Sequence, residues 1–371
     1  MKTFAKFLTV MAVIPFMAGC NNQQGGDIEV TDLQNRTVSI NTSKLDRVIC
    51  LGAGALRMYS YIGDMNKVVA TEDIDGKNTF GVGTALRPYY LANQEYLSTL
   101  PSCGKGGPMN QAPDYELLLA NKPDIIVSLY SDPSVNDTMS QTLGVPVIAL
   151  SQGNDAIFDD STIASFNLLG KVFNRQSRAD ELVKYINDSK AELDKLTLTT
   201  ETNYAGCIGN WGKTNLYGSY YQFPVFKYAK VTNAIDNVTW PSGAKQVTVD
   251  AEKLVELNPD RIFVDGAGFA GFLTDYKANK DKYSSLKAIQ NNEVYSLLPY
   301  NAYYTNLEIQ LISTYYVASL SHASDFVDFN IENKANEVTK KFLGKELYAE
   351  MLKNDTSLGG YQKLDLEELS K

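Results

Sequence analysis

A segment beginning at residue 116 is echoed by one beginning at residue 252, and this echo limits what the chain can become. Glu116-Leu117-Leu118-Leu119-Ala120-Asn121-Lys122-Pro123-Asp124-Ile125-Ile126-Val127 recurs as Glu252-Lys253-Leu254-Val255-Glu256-Leu257-Asn258-Pro259-Asp260-Arg261-Ile262-Phe263-Val264. Each copy reads as an acid, a short amphipathic helix, a Pro-Asp turn and a buried strand. Proline cannot continue a helix and biases the residue before it toward extended backbone, so both helices must stop at the same place. An internal repeat of this size points to two similar lobes.

The flanking patterns agree. Arg47 to Leu51 is a short apolar strand that runs through Gly52-Ala53-Gly54 into a helix from Ala55 to Ile62. Lys67 to Ala70, Ile125 to Leu129 and Val145 to Leu150 read as further strands, the last two separated by a helix. Strands alternating with helical patterns predict a parallel α/β sheet. From Ser161 to about Leu196 the apolar residues fall at helical spacing, with a break near Asn174. The second lobe has strand patterns near Tyr204 to Ile208, Arg261 to Val264 and Val294 to Leu298. It closes with helical patterns at Asn306 to Leu320 and Ile331 to Met351. The expected fold class is two doubly wound α/β lobes joined by a single long helix, with the chain leaving the first lobe once. The expected divisions are 1–20, a signal segment; 21–158, the first lobe with a flexible tether at 21–27; 159–197, the bridging helix; and 198–371, the second lobe.

The first twenty residues read as an export signal. Lys2 and Lys6 precede an apolar run from Phe7 to Met17 that is too short to span a membrane as a helix. Met17-Ala18-Gly19-Cys20 resembles the bacterial lipobox, with Met17 where that pattern prefers Leu. The resemblance implies a diacylated Cys20 as the new N-terminus; plain secretion, with Cys20 an ordinary thiol, is the other reading. No later segment is long and apolar enough to span. Cys50 and Cys207 lie in apolar strands and read as small core residues, while Cys103 sits in a glycine-rich loop. These three allow one disulfide at most. A net charge of −9 without a Lys/Arg stripe argues against nucleic acid.

Taken in order, several elements resemble the helical-backbone class of ABC-importer binding proteins, which includes those for iron siderophores, haem and vitamin B12. They are Leu51 to Arg57, Gly104-Lys105-Gly106-Gly107, the repeat, Leu143 to Val147, Asn167 to Lys171, and Val294-Tyr295 with Leu298 to Asn301. The resemblance covers about Asp27 to Leu352 and lies nearest the iron-complex branch. It implies a class III periplasmic binding protein fold with ligand held between the lobes. It also implies an exported, monomeric lipoprotein whose membrane contact is its anchor and whose partner is a permease dimer. One exposed Glu on each lobe would pair with permease arginines; the matching positions are Glu116 and Glu252. A carboxylate in the first turn of a helix is favoured by the helix dipole and can accept a bidentate Arg bond.

Ligands of doubly wound sheets gather at the carboxyl ends of the strands. Those ends and the loops beside them supply Arg57, Arg87, Tyr89, Tyr130, Trp211, Tyr217, Tyr220, Tyr300, Tyr303 and Tyr304 as candidate ligand residues, with Arg87 to Tyr90 read as an inserted loop. Tyr and Trp offer flat apolar area with a polar tip, which suits a chelate, a macrocycle or an aromatic siderophore. With His322 the only histidine, no His-rich metal site can be built; His322 reads as structural, in a helical stretch from Tyr315 to Asp325. Ferric binding by several Tyr phenolates and a carboxylate is one alternative, and a corrinoid or haem ligand is another. The chain carries neither a Gly-x-Ser-x-Gly elbow nor a phosphate loop. The reading is therefore a non-enzymatic binding protein with no cofactor. An exported chelatase-like metal-insertion enzyme and a surface scavenger without a permease are the alternatives from other classes.

Overall fold

Two parallel sheets carry the fold, and both are wound in the same order. The computed structural model describes residues 26–76, 87–107, 112–199, 202–206, 218–249, 251–354 and 360–369. In the first sheet Val48–Leu51 lies between Val68–Ala70 and Ile125–Ser128, with Val147–Ala149 outermost, all parallel. In the second, Thr202–Gly206 lies between Thr232–Asn233 and Arg261–Asp265, followed by Val294–Leu297, again parallel. A short antiparallel strand, Gln362–Lys363, closes that edge. Each sheet therefore starts on an inner strand, moves out one way, then crosses to the other side. The strands Val48–Leu51 and Ile125–Ser128 are buried along their whole length, as expected where both faces of a parallel sheet are covered.

The two copies of the repeat occupy equivalent places. Helix Tyr115–Asn121 leads into the third strand of the first sheet, and helix Ala251–Leu257 into the third strand of the second. The Asp114 side chain caps the first helix by accepting from Leu117 N at 3.1 Å. Both helices end on a residue in left-handed backbone, Lys122 at φ 46° and Asn258 at φ 40°. This follows from the prolines, which exclude right-handed helical geometry at the preceding residue while the helix end favours the left-handed turn.

The bridge is two helices, Asp160–Val172 and Gln176–Leu193, broken as the sequence indicates at Asn174, where φ is 53°. The first packs on helix Ala55–Ile62 of the first sheet's layer. The second, about 27 Å long at 1.5 Å per residue, leads to the second sheet. They meet closely at Gly170, where a Cβ would lie 2.7 Å from that of Ala179.

Four expectations need correction. The chain does return to the first lobe: helix Ile331–Leu343 packs on Ala55–Ile62, Pro88–Leu97 and Gln176–Leu193. Arg178 fixes that return, donating to Tyr61 O at 2.8 Å and to the carbonyls of Lys341 and Phe342 at 2.6 and 3.0 Å. Arg87 to Tyr90 is not an inserted loop but the start of helix Pro88–Leu97, with Pro88 in the first turn where its missing N–H costs nothing. The final helical pattern is two helices, Ile331–Leu343 and Tyr348–Asn354, parted at Gly344 with φ 73°. His322 lies at the C-cap of helix Leu307–Ser321, outside any continuing helix, with Nε2 2.9 Å from Ala229 O.

Candidate functional site

Each sheet has its switch point between the first and third strands, at Leu51/Ser128 and at Gly206/Val264. Crevices at such points are where open α/β sheets hold ligands. At the first, the chain turns sharply through Gly52 and Gly54, with φ of 90° and 89°. A Cβ on Gly52 would lie 3.0 Å from the Tyr130 ring and 3.2 Å from the backbone of Leu129, so glycine is required by both conformation and space. Gly54 is packed by Gln152 and Arg57.

The second lobe's loop from Tyr300 to Thr305 reaches across to this turn. Tyr303 and Tyr304 both have left-handed backbone, φ 53° and 73°. That unusual geometry turns the carbonyls of Ala302 and Tyr303 onto Arg57, whose Nη2 and Nη1 donate to them at 2.5 and 3.0 Å. The Tyr303 hydroxyl donates to Glu72 at 2.6 Å and accepts from Gly107 N at 3.2 Å. Glu72 also accepts from Gly52 N at 3.0 Å. Burial, with the Asp75 charge adding, pushes Glu72 up to about 8.

A second layer lies behind. Arg87 donates to Ile74 O and sits 4.0 Å from Asp75, which also accepts from the Tyr89 hydroxyl. The Arg57 guanidinium lies over the Tyr89 ring at 4.7 Å, and that of Arg87 over Tyr90 at 4.5 Å. Glu308, wholly buried, accepts from the Tyr61 hydroxyl at 2.5 Å. Burial raises Glu308 and Asp75, while Arg57 and Arg87 respectively pull them down. On the other side Asp265 accepts from Tyr300 N and Ala267 N, both at 2.9 Å, and burial lifts it to about 7. Among the described residues, Gln152 has neither side-chain polar atom bonded, and Arg57 Nε is also unbonded.

The structure brings together Arg57, Arg87, Tyr89, Tyr130 and Tyr303 at the meeting of the lobes. Tyr220 and Tyr300 lie in an aromatic cluster with Phe223, with ring centres 4.9 to 5.1 Å apart. Tyr304 alone of the described candidate tyrosines is well exposed, at 48%. Cys20, Trp211 and Tyr217 lie outside the described residues, as does Cys207. Glu116 and Glu252 are both exposed in the first turns of their helices. Cys50 and Cys103 are buried free thiols. The sequence reading missed Glu72, Asp75, Asp265 and Glu308. Glu308, a lone acid in an apolar helix, carried a signal; Glu72 and Asp75 follow a predicted strand end, a position that does not by itself reveal their contacts. Among the described residues no acidic, Cys or His cluster is arranged to hold a metal ion, and no helix is long and apolar enough to cross a membrane.

A family model described as periplasmic binding protein matches residues 48–300, more than half of the chain. The chain belongs to the periplasmic binding protein family. No curated protein matches it significantly. Solved structures share its fold. A periplasmic solute binding protein from Veillonella parvula is 17% identical with a TM-score of 0.68, covering 89% of this chain and 96% of its own. Molybdate-bound MolA of Haemophilus influenzae is 19% identical with a TM-score of 0.65, covering 86% and 98%. The catecholate-siderophore binding protein VctP of Vibrio cholerae is 20% identical with a TM-score of 0.53, covering 80% and 99%. In this periplasmic binding protein the Tyr300–Thr305 loop of the second lobe is thus hydrogen-bonded to Arg57 and Glu72 at the first lobe's switch point.

Proposed function

We propose that this binding protein is the lipid-anchored component of an ABC importer that captures an iron complex, a siderophore-type chelate, between its lobes and delivers it to a permease dimer. The observation that carries the ligand class is the engagement of the cations. Both Arg57 Nη atoms are spent on backbone carbonyls and Arg87 Nη1 on Ile74 O, and the donors left over, Arg57 Nε with Arg87 Nε and Nη2, are buried. A bare oxyanion would need such donors exposed to the space where it binds. A chelate, whose own atoms hold the metal, needs aromatic surface instead, and Tyr304 offers it at the rim.

Cys20 would carry the lipid and 21–27 the tether. Gly26, within that proposed tether, lies beside the helix corner formed by Gly170, Lys171, Asn174 and Gln176. We take 21–158 and 198–371 as the lobes and 159–197 as the bridge. Glu116 and Glu252 are the docking acids, supported by their exposure and by their equivalent positions on helices of opposite sheets. The test is uptake of radiolabelled ferric chelate by cells carrying Glu116→Ala and Glu252→Ala together. Chelate affinity of the purified variant should equal that of the parent while uptake falls to background. Uptake at the parent's rate would refute the docking role.

A further inference from the structure

Among the described residues five large apolar side chains stand exposed: Leu119, Leu198, Val255, Tyr304 and Val327. Two of them are the same position of the repeat. Leu119, 54% exposed, lies three residues after Glu116, and Val255, 40% exposed, lies three residues after Glu252. Residues three apart on a helix are neighbours on one face, about 4.5 Å apart along the axis. Each lobe therefore presents the same two-part patch, an exposed carboxylate with an exposed aliphatic side chain one turn below it.

The repeat gives this coincidence its weight. In each copy the position just before the aliphatic residue, Leu118 or Leu254, is completely buried and holds the helix to its sheet. Leu119 and Val255 therefore point away from the core that explains the other apolar residues of these helices. Exposed single apolar residues are ordinary on protein surfaces; the same one, next to the same acid, on two lobes is a pattern. A partner matching it must offer a basic group beside an apolar depression, twice, at the spacing of the two lobes. A dimer of identical membrane subunits does this through its own symmetry.

We infer that Leu119 and Val255 are apolar docking contacts for the two subunits of the permease, seated beside the Glu116 and Glu252 ion pairs. This rests on the docking role of the two acids and adds a contact of different chemistry. Exposed ion pairs contribute little and are screened by salt. A side chain that buries an apolar area at each point and excludes water from the neighbouring pair strengthens both.

The test has two parts. A photo-crosslinking amino acid is placed at 119, 255 or 327 of the full lipoprotein in its own host, and adducts are identified by mass spectrometry. Positions 119 and 255 should both join to the same polytopic ABC permease subunit, and 327, on the 82%-exposed Val327, should not. Purified protein is then titrated onto proteoliposomes holding that permease. The Leu119→Ser/Val255→Ser variant should bind at least about tenfold more weakly, and the Glu116→Ala/Glu252→Ala variant should not bind. Both serine positions are solvent-exposed, and an unchanged melting temperature verifies the fold. Absence of adducts at 119 and 255 overturns the inference. So does wild-type affinity of the serine variant while the alanine variant fails to bind, an outcome that leaves the acids' role standing. Wild-type affinity of the alanine variant would instead remove the docking reading on which the inference rests.

Discussion

Glu72 is the residue where burial and titration meet most directly. Its carboxyl is buried at the first switch point, takes a hydrogen bond from Tyr303 of the other lobe, and is pushed from its ordinary 4.5 to about 8. A group that holds its proton more tightly when folded favours the folded state at low pH, and that contribution is lost as pH rises. For Glu72 the loss runs from about 4.5 to 8, and Asp265, lifted to about 7, adds to it. Thermal melting followed from pH 5 to 9 should show stability falling with pH above the range of the ordinary carboxylates. Glu72→Gln, which keeps the shape without the titration, should flatten that fall and raise the melting temperature at pH 9. Parallel curves for parent and variant would refute the assignment. Little of this was legible beforehand. Arg57, Tyr303 and Gly52 stand out in the sequence by type and place. What makes Glu72 special is a contact with a residue more than two hundred positions away, which no local pattern carries.

At the scale of elements, the helix corner at Gly170 fixes the bridge. Its α-hydrogen faces Ala179, and a Cβ there would come within 2.7 Å of that of Ala179 and 3.3 Å of Gln176 Cα. Gly170→Leu should therefore force the two helices apart and lower stability by about 1–3 kcal/mol, the range for overpacking. Urea denaturation measures this, and an unchanged midpoint would mean the corner is slack. Elements of this kind were mostly readable. Helix Ala55–Ile62 has the bounds expected of it, and the break at Asn174 falls where apolar spacing is interrupted. The repeat strands follow their prolines as expected. The failures share one cause. Helix Pro88–Leu97 is too aromatic and too weakly periodic to signal itself, and it is held by packing against helices Ala55–Ile62 and Ile331–Leu343. Hairpin Asp27–Thr31 with Thr37–Asn41 has the same character, its strands having just one buried residue each.

For the whole molecule, the consequence is stiffness. One apolar cluster runs from Val48 and Tyr59 of the first lobe through Leu182 and Ile186 of the bridge to Tyr315 and Phe342. Lobes that share a core on one side can rock but cannot swing apart, so on the proposed function ligand would enter by a small tilt. The two-lobed plan was legible from the repeat alone. The return of the last long helices onto the first lobe was not, because their apolar faces do not name the surface they cover. The claim at the centre is that the gap between lobes holds a ferric complex of an organic chelator. The most direct measurement is to purify the protein from its own host without adding ligand. Metal analysis and native mass spectrometry then identify what accompanies it. The prediction is one iron and one organic chelator per chain, released together on unfolding. Molybdate, a bare metal ion, or a corrinoid or haem in that place would contradict it.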